Sequence, residues 1–289
     1  MKNSIIVKEI TGLFFCKGGT KVQVEIKNLS KFFMQKAGRK FIALNHVNLK
    51  VRQGEFVALL GPSGCGKTTL LNIIAGLDSP STGQATVDGK AVHGPGPDRV
   101  VVFQEAALFP WLSSVQNVEF GLKVAGIEAK TRRHKALEFL QLVQLSQFAS
   151  EFPHQLSGGM RQRLAIARAL ILDPKILLMD EPFAALDEQT RGKLQGELVD
   201  IWVKTGKTIV FVTHNIREAL IMADRVCIFA SGPGRIKREL LIPIPRPRCA
   251  EDPLLLLMEK QIQEILREQA SKVNLDKREN LLELIAESF

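Results

Sequence analysis

The sequence predicts an α/β protein: a mostly parallel core sheet, a small antiparallel β subdomain beside it, and a helical subdomain. Three observations carry that prediction. Short, almost wholly apolar runs (Phe56–Leu60, Val100–Phe103, Ile176–Met179, Thr208–Val212 and Val226–Phe229) are separated by stretches long enough for helices, as buried parallel strands are. Earlier runs, such as Val22-Gln23-Val24-Glu25-Ile26 and Val47-Asn48-Leu49-Lys50-Val51, alternate apolar and polar residues as half-buried antiparallel strands do. Between Phe56–Leu60 and a run of leucines and isoleucines at helical spacing lies Gly61-Pro62-Ser63-Gly64-Cys65-Gly66-Lys67-Thr68. It fits G-x-x-x-x-G-K-[ST] at every fixed position.

Taken in order, residues 1–21 read as an N-terminal extension that ends near Gly18-Gly19. The fold starts at Val22, and Phe41–Leu44 adds a strand to the first two. The turn Arg52-Gln53-Gly54-Glu55 then feeds the strand before the glycine-rich loop. Gln84–Val87 is a strand that stops at the turn pair Asp88-Gly89. Helical spacing dominates from Arg132 to Phe148. After Pro243, Pro245 and Pro247 the composition shifts, and Leu254–Gln269 and Lys277–Ser288 read as two amphipathic helices. The expected division is therefore an extension over 1–21, a body over 22–250 and a helical tail over 251–289.

Composition narrows the class. A chain of 289 residues with 45% hydrophobic and 24% charged residues can bury a large core. No apolar run approaches the ~18 residues a bilayer span needs. Lys8 and Glu9 interrupt the apolar stretch Ile5-Ile6-Val7, and in Leu13-Phe14-Phe15-Cys16 two phenylalanines replace the small residues a lipoprotein cleavage site needs, so no export signal is read. The four cysteines (Cys16, Cys65, Cys227, Cys249) form no C-x-x-C pair and have no metal-ligand spacing. That usage fits a reducing compartment, the cytosol or a cytosolic face. The net charge of +9 is spread over dispersed groups such as Lys130-Arg132-Arg133 and Arg235-Lys237-Arg238. Solvated lysines, or a surface facing anionic lipid, explain it better than a nucleic-acid groove does.

The glycine-rich loop has a chemical reading. Phosphate chains are wrapped by backbone N–H groups, and glycines at 61, 64 and 66 let the backbone turn tightly and approach closely. The helix starting near Gly66 adds its free N–H groups and the positive end of its dipole. Lys67 is placed to reach the β- and γ-phosphates, and the Thr68 hydroxyl to ligate Mg²⁺, with Thr69 next along the helix. The sequence thus points to a nucleoside triphosphate bound by residues 61–69. Ile176–Met179 runs into Asp180-Glu181, an aspartate placed for Mg²⁺ and a glutamate placed to polarise an attacking water.

A third motif, Leu156-Ser157-Gly158-Gly159-Met160-Arg161-Gln162-Arg163, puts a hydroxyl and bare N–H groups at a helix start, a second anion site. Here the chain resembles the ATP-binding cassette (ABC) ATPases, whose signature is L-S-G-G-Q; Met160 stands in place of the usual Gln. The resemblance implies a cassette fold whose helical subdomain carries this signature. It also implies ATP as substrate with Mg²⁺, and head-to-tail pairing in which Ser157, Gly158 and Gly159 face the γ-phosphate held by the other subunit. Residue by residue, it makes Gln104 the Q-loop glutamine on Mg²⁺, His214 the switch histidine, Ala185-Leu186-Asp187 the D-loop, and Phe33 the ring on adenine. Phe32 and Phe41 are open alternatives to Phe33, and Asn215 follows His214 where the family commonly has aspartate.

Gly94–Arg99, Leu108-Phe109-Pro110-Trp111-Leu112, Pro233–Ile236 and Pro245-Arg246-Pro247-Arg248 are similar to the importer branch serving nitrate, sulfonates and taurine. The implied protein is the ATPase subunit of an uptake transporter on the cytoplasmic face of the membrane. Its implied partners are a second copy or a paralogous subunit, a membrane permease and, indirectly, a solute-binding protein. In the family, the segment after Gln104 docks a short permease helix, which would make Trp111 an interface anchor. The alternative class is a non-transport cassette ATPase, of DNA repair or of a regulatory kind. Lys67 and Ser157 are only 90 positions apart, too close for the coiled coils of the repair proteins. Glu181 and His214 argue against a module that binds without cleaving.

Overall fold

The computed structural model describes residues 21–34, 38–184, 186–230 and 232–268. Residues 1–20 of the expected extension over 1–21, Ala185 of the expected D-loop, and the expected second tail helix lie outside the described residues. In chain order the strands are β1 (Val22–Met34), β2 (Lys40–Arg52), β3 (Phe56–Leu60), β4 (Thr82–Val87), β5 (Lys90–Ala91), β6 (Arg99–Val102), β7 (Ile176–Asp180), β8 (Thr208–Thr213), β9 (Arg225–Ala230) and β10 (Arg235–Leu241). The helices are α1 (Lys67–Ala75), α2 (Ser114–Val124), α3 (Ala129–Leu142), α4 (Gly158–Leu170), α5 (Glu188–Thr205), α6 (Ile216–Met222) and α7 over 253–268.

Side-chain alternation explains the layers. The core sheet runs β10-β9-β3-β8-β7-β6, parallel except for β10. Along β3, Phe56, Ala58 and Leu60 join one buried cluster, and Val57 and Leu59 join the other. Ile209 and Phe211 against Val210 and Val212 repeat the pattern on β8, as do Leu177 and Met179 against Ile176 and Leu178 on β7. A strand buried on both faces must be apolar throughout, which is why these runs were legible. One face packs α1 and the antiparallel sheet β2-β1-β4-β5; the other packs the remaining helices.

Several elements differ from their sequence reading. Phe41–Leu44 and Val47–Val51, expected as separate strands, form the single strand β2. Helix α3 stops at Leu142 because Gln144 takes a left-handed φ of 58°, and the expected continuation to Phe148 is a short 3₁₀ turn. Helix α2 was not anticipated, although its capping box, Ser113 with Gln116, is a readable start signal.

The first tail helix is present as α7, but it does not stand apart from the body: Leu255, Met258 and Ile262 belong to the main core. The chain reaches it through Arg246 and Arg248. Arg246 donates to Met222 O and Asp224 and lies over the Trp202 ring at 4.4 Å. Arg248 Nη1 donates to Leu220 O and Ala223 O at 2.7 and 2.6 Å, satisfying carbonyls at the end of α6. No helix among the described residues is long and apolar enough to cross a membrane.

Candidate functional site

Because β3, β6, β7 and β8 are parallel neighbours, the residues just past their C-terminal ends share one edge of the sheet. Gly61 follows β3, Gln104 follows β6, Asp180 and Glu181 end β7, and His214 follows β8. Open α/β sheets present ligand crevices along that edge.

The loop 61–66 turns into α1 through Gly66, whose φ is 92°. A Cβ at Gly66 would sit 2.7 Å from Leu44 Cδ2 and 2.8 Å from Ala43 O, so glycine is required both for the conformation and for the approach of β2. Pro62, Ser63 and Gly64 are exposed, whereas Gly61 and Cys65 are buried. Burial pushes the Cys65 thiol up, so it packs as a neutral group. The Lys67 ammonium donates to Gly61 O at 2.7 Å and Pro62 O at 2.9 Å, which keeps its charge inside the loop. Thr68 is exposed and Thr69 half-buried in the first turn of α1.

Thr68 Oγ1 donates to Asp180 Oδ1 at 3.1 Å. Burial pushes the Asp180 carboxyl up, and Glu181 adds to this, while Thr68 and Lys67 pull the other way. Hydroxyl and carboxylate oxygens side by side are the hard donors that Mg²⁺ takes, so this pair fits that ion. Glu181 adopts a φ of 44°, unusual for a side-chain-bearing residue, and its N–H donates to Val212 O at 3.0 Å. Its Oε2 accepts from His214 Nδ1 at 2.8 Å. A carboxylate oxygen can only accept, so the contact puts a proton on Nδ1. Asn215, the departure from the family pattern, caps α6 by accepting from Arg217 and Glu218 N–H groups.

Ser157 caps α4 by accepting from Met160 N at 3.3 Å. A Cβ on Gly159 would lie 2.7 Å from Thr190 Cγ2, while Gly158 has room for one. Met160 packs its side chain against the core. Gln104 is exposed and lines a cleft of about 660 Å³ together with Gly158, Arg161 and Pro182, so it faces the start of α4. Phe33 and Phe41 are cross-strand partners on β1 and β2, each more than two-fifths exposed. Phe32 is half-buried with Lys40 Nζ 3.5 Å from its ring centroid.

Three residues escaped the sequence reading. Asn117, fully buried, bonds Phe109 N and O and Leu112 O, fixing the loop before α2. Arg168 donates to Ala106 O and Ala107 O and lies over the Phe109 ring at 5.3 Å. With Val101, Phe103 and Phe120 it lines an apolar groove of about 300 Å³. Trp111 projects beside Phe109, their ring centroids 5.7 Å apart, and is 70% exposed, so it is not part of the core. Glu218, six per cent exposed, accepts from Thr213 Oγ1 at 2.6 Å. No local motif marks any of these three, because their partners are distant or belong to the backbone.

Comparison with known proteins matches this arrangement. A family model described as ABC transporter covers residues 44–184. An uncharacterized ABC transporter ATP-binding protein of Methanocaldococcus jannaschii is 50% identical over 252 residues, 87% of this chain and 94% of its own length. The nitrate import ATP-binding protein NrtD of Synechocystis is 48% identical over 78% of this chain and 84% of its own. The taurine import ATP-binding protein TauB of Rhizobium johnstonii is 51% identical over 74% and 81%. A dimeric ATP-binding cassette in a post-hydrolysis state bound to ADP and Pi superposes with a TM-score of 0.68 at 38% identity, covering 76% of this chain and 98% of that one. With a phosphate loop, an Asp-Glu strand end and a Ser-Gly-Gly helix start on one scaffold, and relatives alike over nearly their full lengths, the chain belongs to the ATP-binding proteins of ABC transporters.

Proposed function

We propose that this chain is the ATP-hydrolysing subunit of an ABC importer that energises uptake of a small solute, nitrate, a sulfonate or taurine, through a separate membrane permease. The observation that carries the reading is the pairing of Thr68 with Asp180 beside the pairing of Glu181 with His214, on the strand edge that also presents the phosphate loop.

In this reading residues 61–69 bind the triphosphate of ATP and Phe33 stacks on adenine. Thr68, Asp180 and Gln104 would hold Mg²⁺, which when bound would supply neutralisation of phosphate charge. Glu181 orients and polarises the attacking water, and His214 holds Glu181 in place. Ser157, Gly158 and Gly159 of one subunit complete the site of the other, so two copies, or one copy and a paralogue, close on ATP. Residues 22–250 form the nucleotide-binding body, with 1–21 as an extension and 251–289 as a tail whose first helix, α7, packs into the core. The subunit sits on the cytoplasmic face, where the groove between Phe103 and Arg168, with Trp111 at its side, receives a permease helix. A solute-binding protein acts on the outer side.

The direct test is reconstitution with the neighbouring permease in vesicles. Enclosed or external ATP on the subunit's side should drive uptake of one of these solutes, and that solute should stimulate ATP cleavage. Permease-independent ATP cleavage, with no association, would favour the non-transport class.

A further inference from the structure

We infer that Glu218 is a positioning residue for His214, acting through Thr213, and that it ties the His214 turn to the segment beginning at Leu186. The inference rests on the reading of His214 as a hydrolysis residue.

The His214 side chain is 54% exposed, so little packing aims its ring; its bond to Glu181 Oε2 and the backbone of 213–215 do. That turn is held by few bonds. Thr213 Oγ1 accepts from Asn215 N at 3.0 Å and donates its single proton to Glu218 Oε2 at 2.6 Å. With the proton spent on the carboxylate, the hydroxyl lone pairs face the Asn215 N–H. Without that acceptor the hydroxyl is free to turn, and the bond spanning His214 loses its definition. Helix capping does not account for Glu218, because Asn215 already accepts from both Arg217 N and Glu218 N. A buried carboxylate close to Glu181 is costly to keep, so its geometry needs a reason.

The second carboxylate oxygen gives the other half of the link. Glu218 Oε1 lies 3.6 Å from Arg191 Nε, and Arg191 Nη2 donates to Leu186 O at 2.8 Å. One buried carboxylate therefore touches the His214 turn on one side and, through Arg191, the segment between β7 and α5 on the other. A shift of Leu186 reaches His214 by this route without crossing the sheet.

The test uses the full chain with ATP, and measures single-turnover cleavage and ATP Kd separately. Glu218→Ala should slow cleavage about 10- to 100-fold, as loss of orientation does, with Kd within about twofold of the parent. Glu218→Gln still accepts from Thr213 and should recover most of that loss. In a His214→Ala background, Glu218→Ala should slow cleavage no further, because both changes remove the same interaction. Multiplying effects in the double variant, an effect on Kd alone, or Gln no better than Ala would each overturn the inference. Should Glu218→Ala fail to fold, Thr213→Val removes the same relay and carries the same expectations. If His214→Ala alone cleaves ATP at the parent rate, the reading of His214 fails first and the inference with it, a result recognisable without any change at Glu218.

Discussion

Thr68 Oγ1 and Asp180 Oδ1 lie 3.1 Å apart although 112 positions separate them in the chain. The contact exists because β3 and β7 each adjoin β8 in one parallel sheet, so the loop after β3 and the end of β7 open on the same edge. The site is thus a property of strand order, and its parts can be perturbed one at a time.

Glu181→Gln keeps an acceptor for His214 but removes the negative charge that, in the proposed function, polarises the attacking water. MgATP affinity should be retained, and cleavage should fall about 10²- to 10⁴-fold, the usual contribution of a positioned base. The variant should also hold a closed dimer with ATP, visible by size-exclusion chromatography. Undiminished turnover would remove Glu181 from the mechanism.

Asp180→Asn carries a pH-dependent expectation. Burial raises the Asp180 pKa in the folded protein, so ionisation there disfavours folding. The sign follows: the penalty is absent below the unfolded aspartate pKa and fully present above the raised folded value. The nucleotide-free variant should melt higher than the parent at neutral pH, by about 2–4 °C for each kcal/mol relieved, and the gain should vanish in acid. Mg²⁺-dependent tightening of ATP binding should be lost at all pH values. Equal melting of variant and parent at neutral and acid pH would contradict the burial argument.

Ser157→Arg places a bulky cation at the start of α4, and Lys67→Ala removes the loop's ammonium. Each alone should be inactive. Mixed in equal amounts under conditions of random subunit exchange, the pair should regain up to about a quarter of the parental rate, since half the dimers are mixed and each of those has one composite site intact. A mixture that stays inactive despite demonstrated exchange would rule out sharing of sites between subunits.

Trp111→Ala and Asn117→Ala separate surface from scaffold in one loop. Trp111 is 70% exposed, so its loss should change stability by no more than about 0.5 kcal/mol while abolishing permease association. Asn117 is fully buried, and its removal takes away the partner of Phe109 N–H and Leu112 C=O, while Phe109 O keeps the Leu112 N–H. That should cost about 1–3 kcal/mol for each group left unpaired. Calorimetry and co-purification of the two variants check the contrast.

Ile262→Ala should destabilise by about 2–5 kcal/mol, because α7 packs this fully buried side chain into the main core. ATP affinity of the folded fraction should be unchanged. A negligible melting shift would return α7 to the surface.

What the sequence determined by itself is what short range can encode. The phosphate loop, the Asp180-Glu181 strand end and the Ser157-Gly158-Gly159 helix start are contiguous, and each states its chemistry through residue type and spacing. The core strands were legible because burial on both faces forces uninterrupted apolar runs, and the Ser113–Gln116 capping box would have marked α2 as well. Tertiary structure alone decided the rest. Gln144 ends α3 by a backbone angle, which residue identity does not encode. The tail helix became core because Arg246 and Arg248 satisfy carbonyls at the end of α6 and carry the chain back onto the body. Glu218 reads as an ordinary helix glutamate until Thr213 and Arg191 are brought against it. Thr213 is only five positions away but on the preceding strand, and Arg191 comes from another helix, so the contacts follow from how these elements pack and not from a local motif.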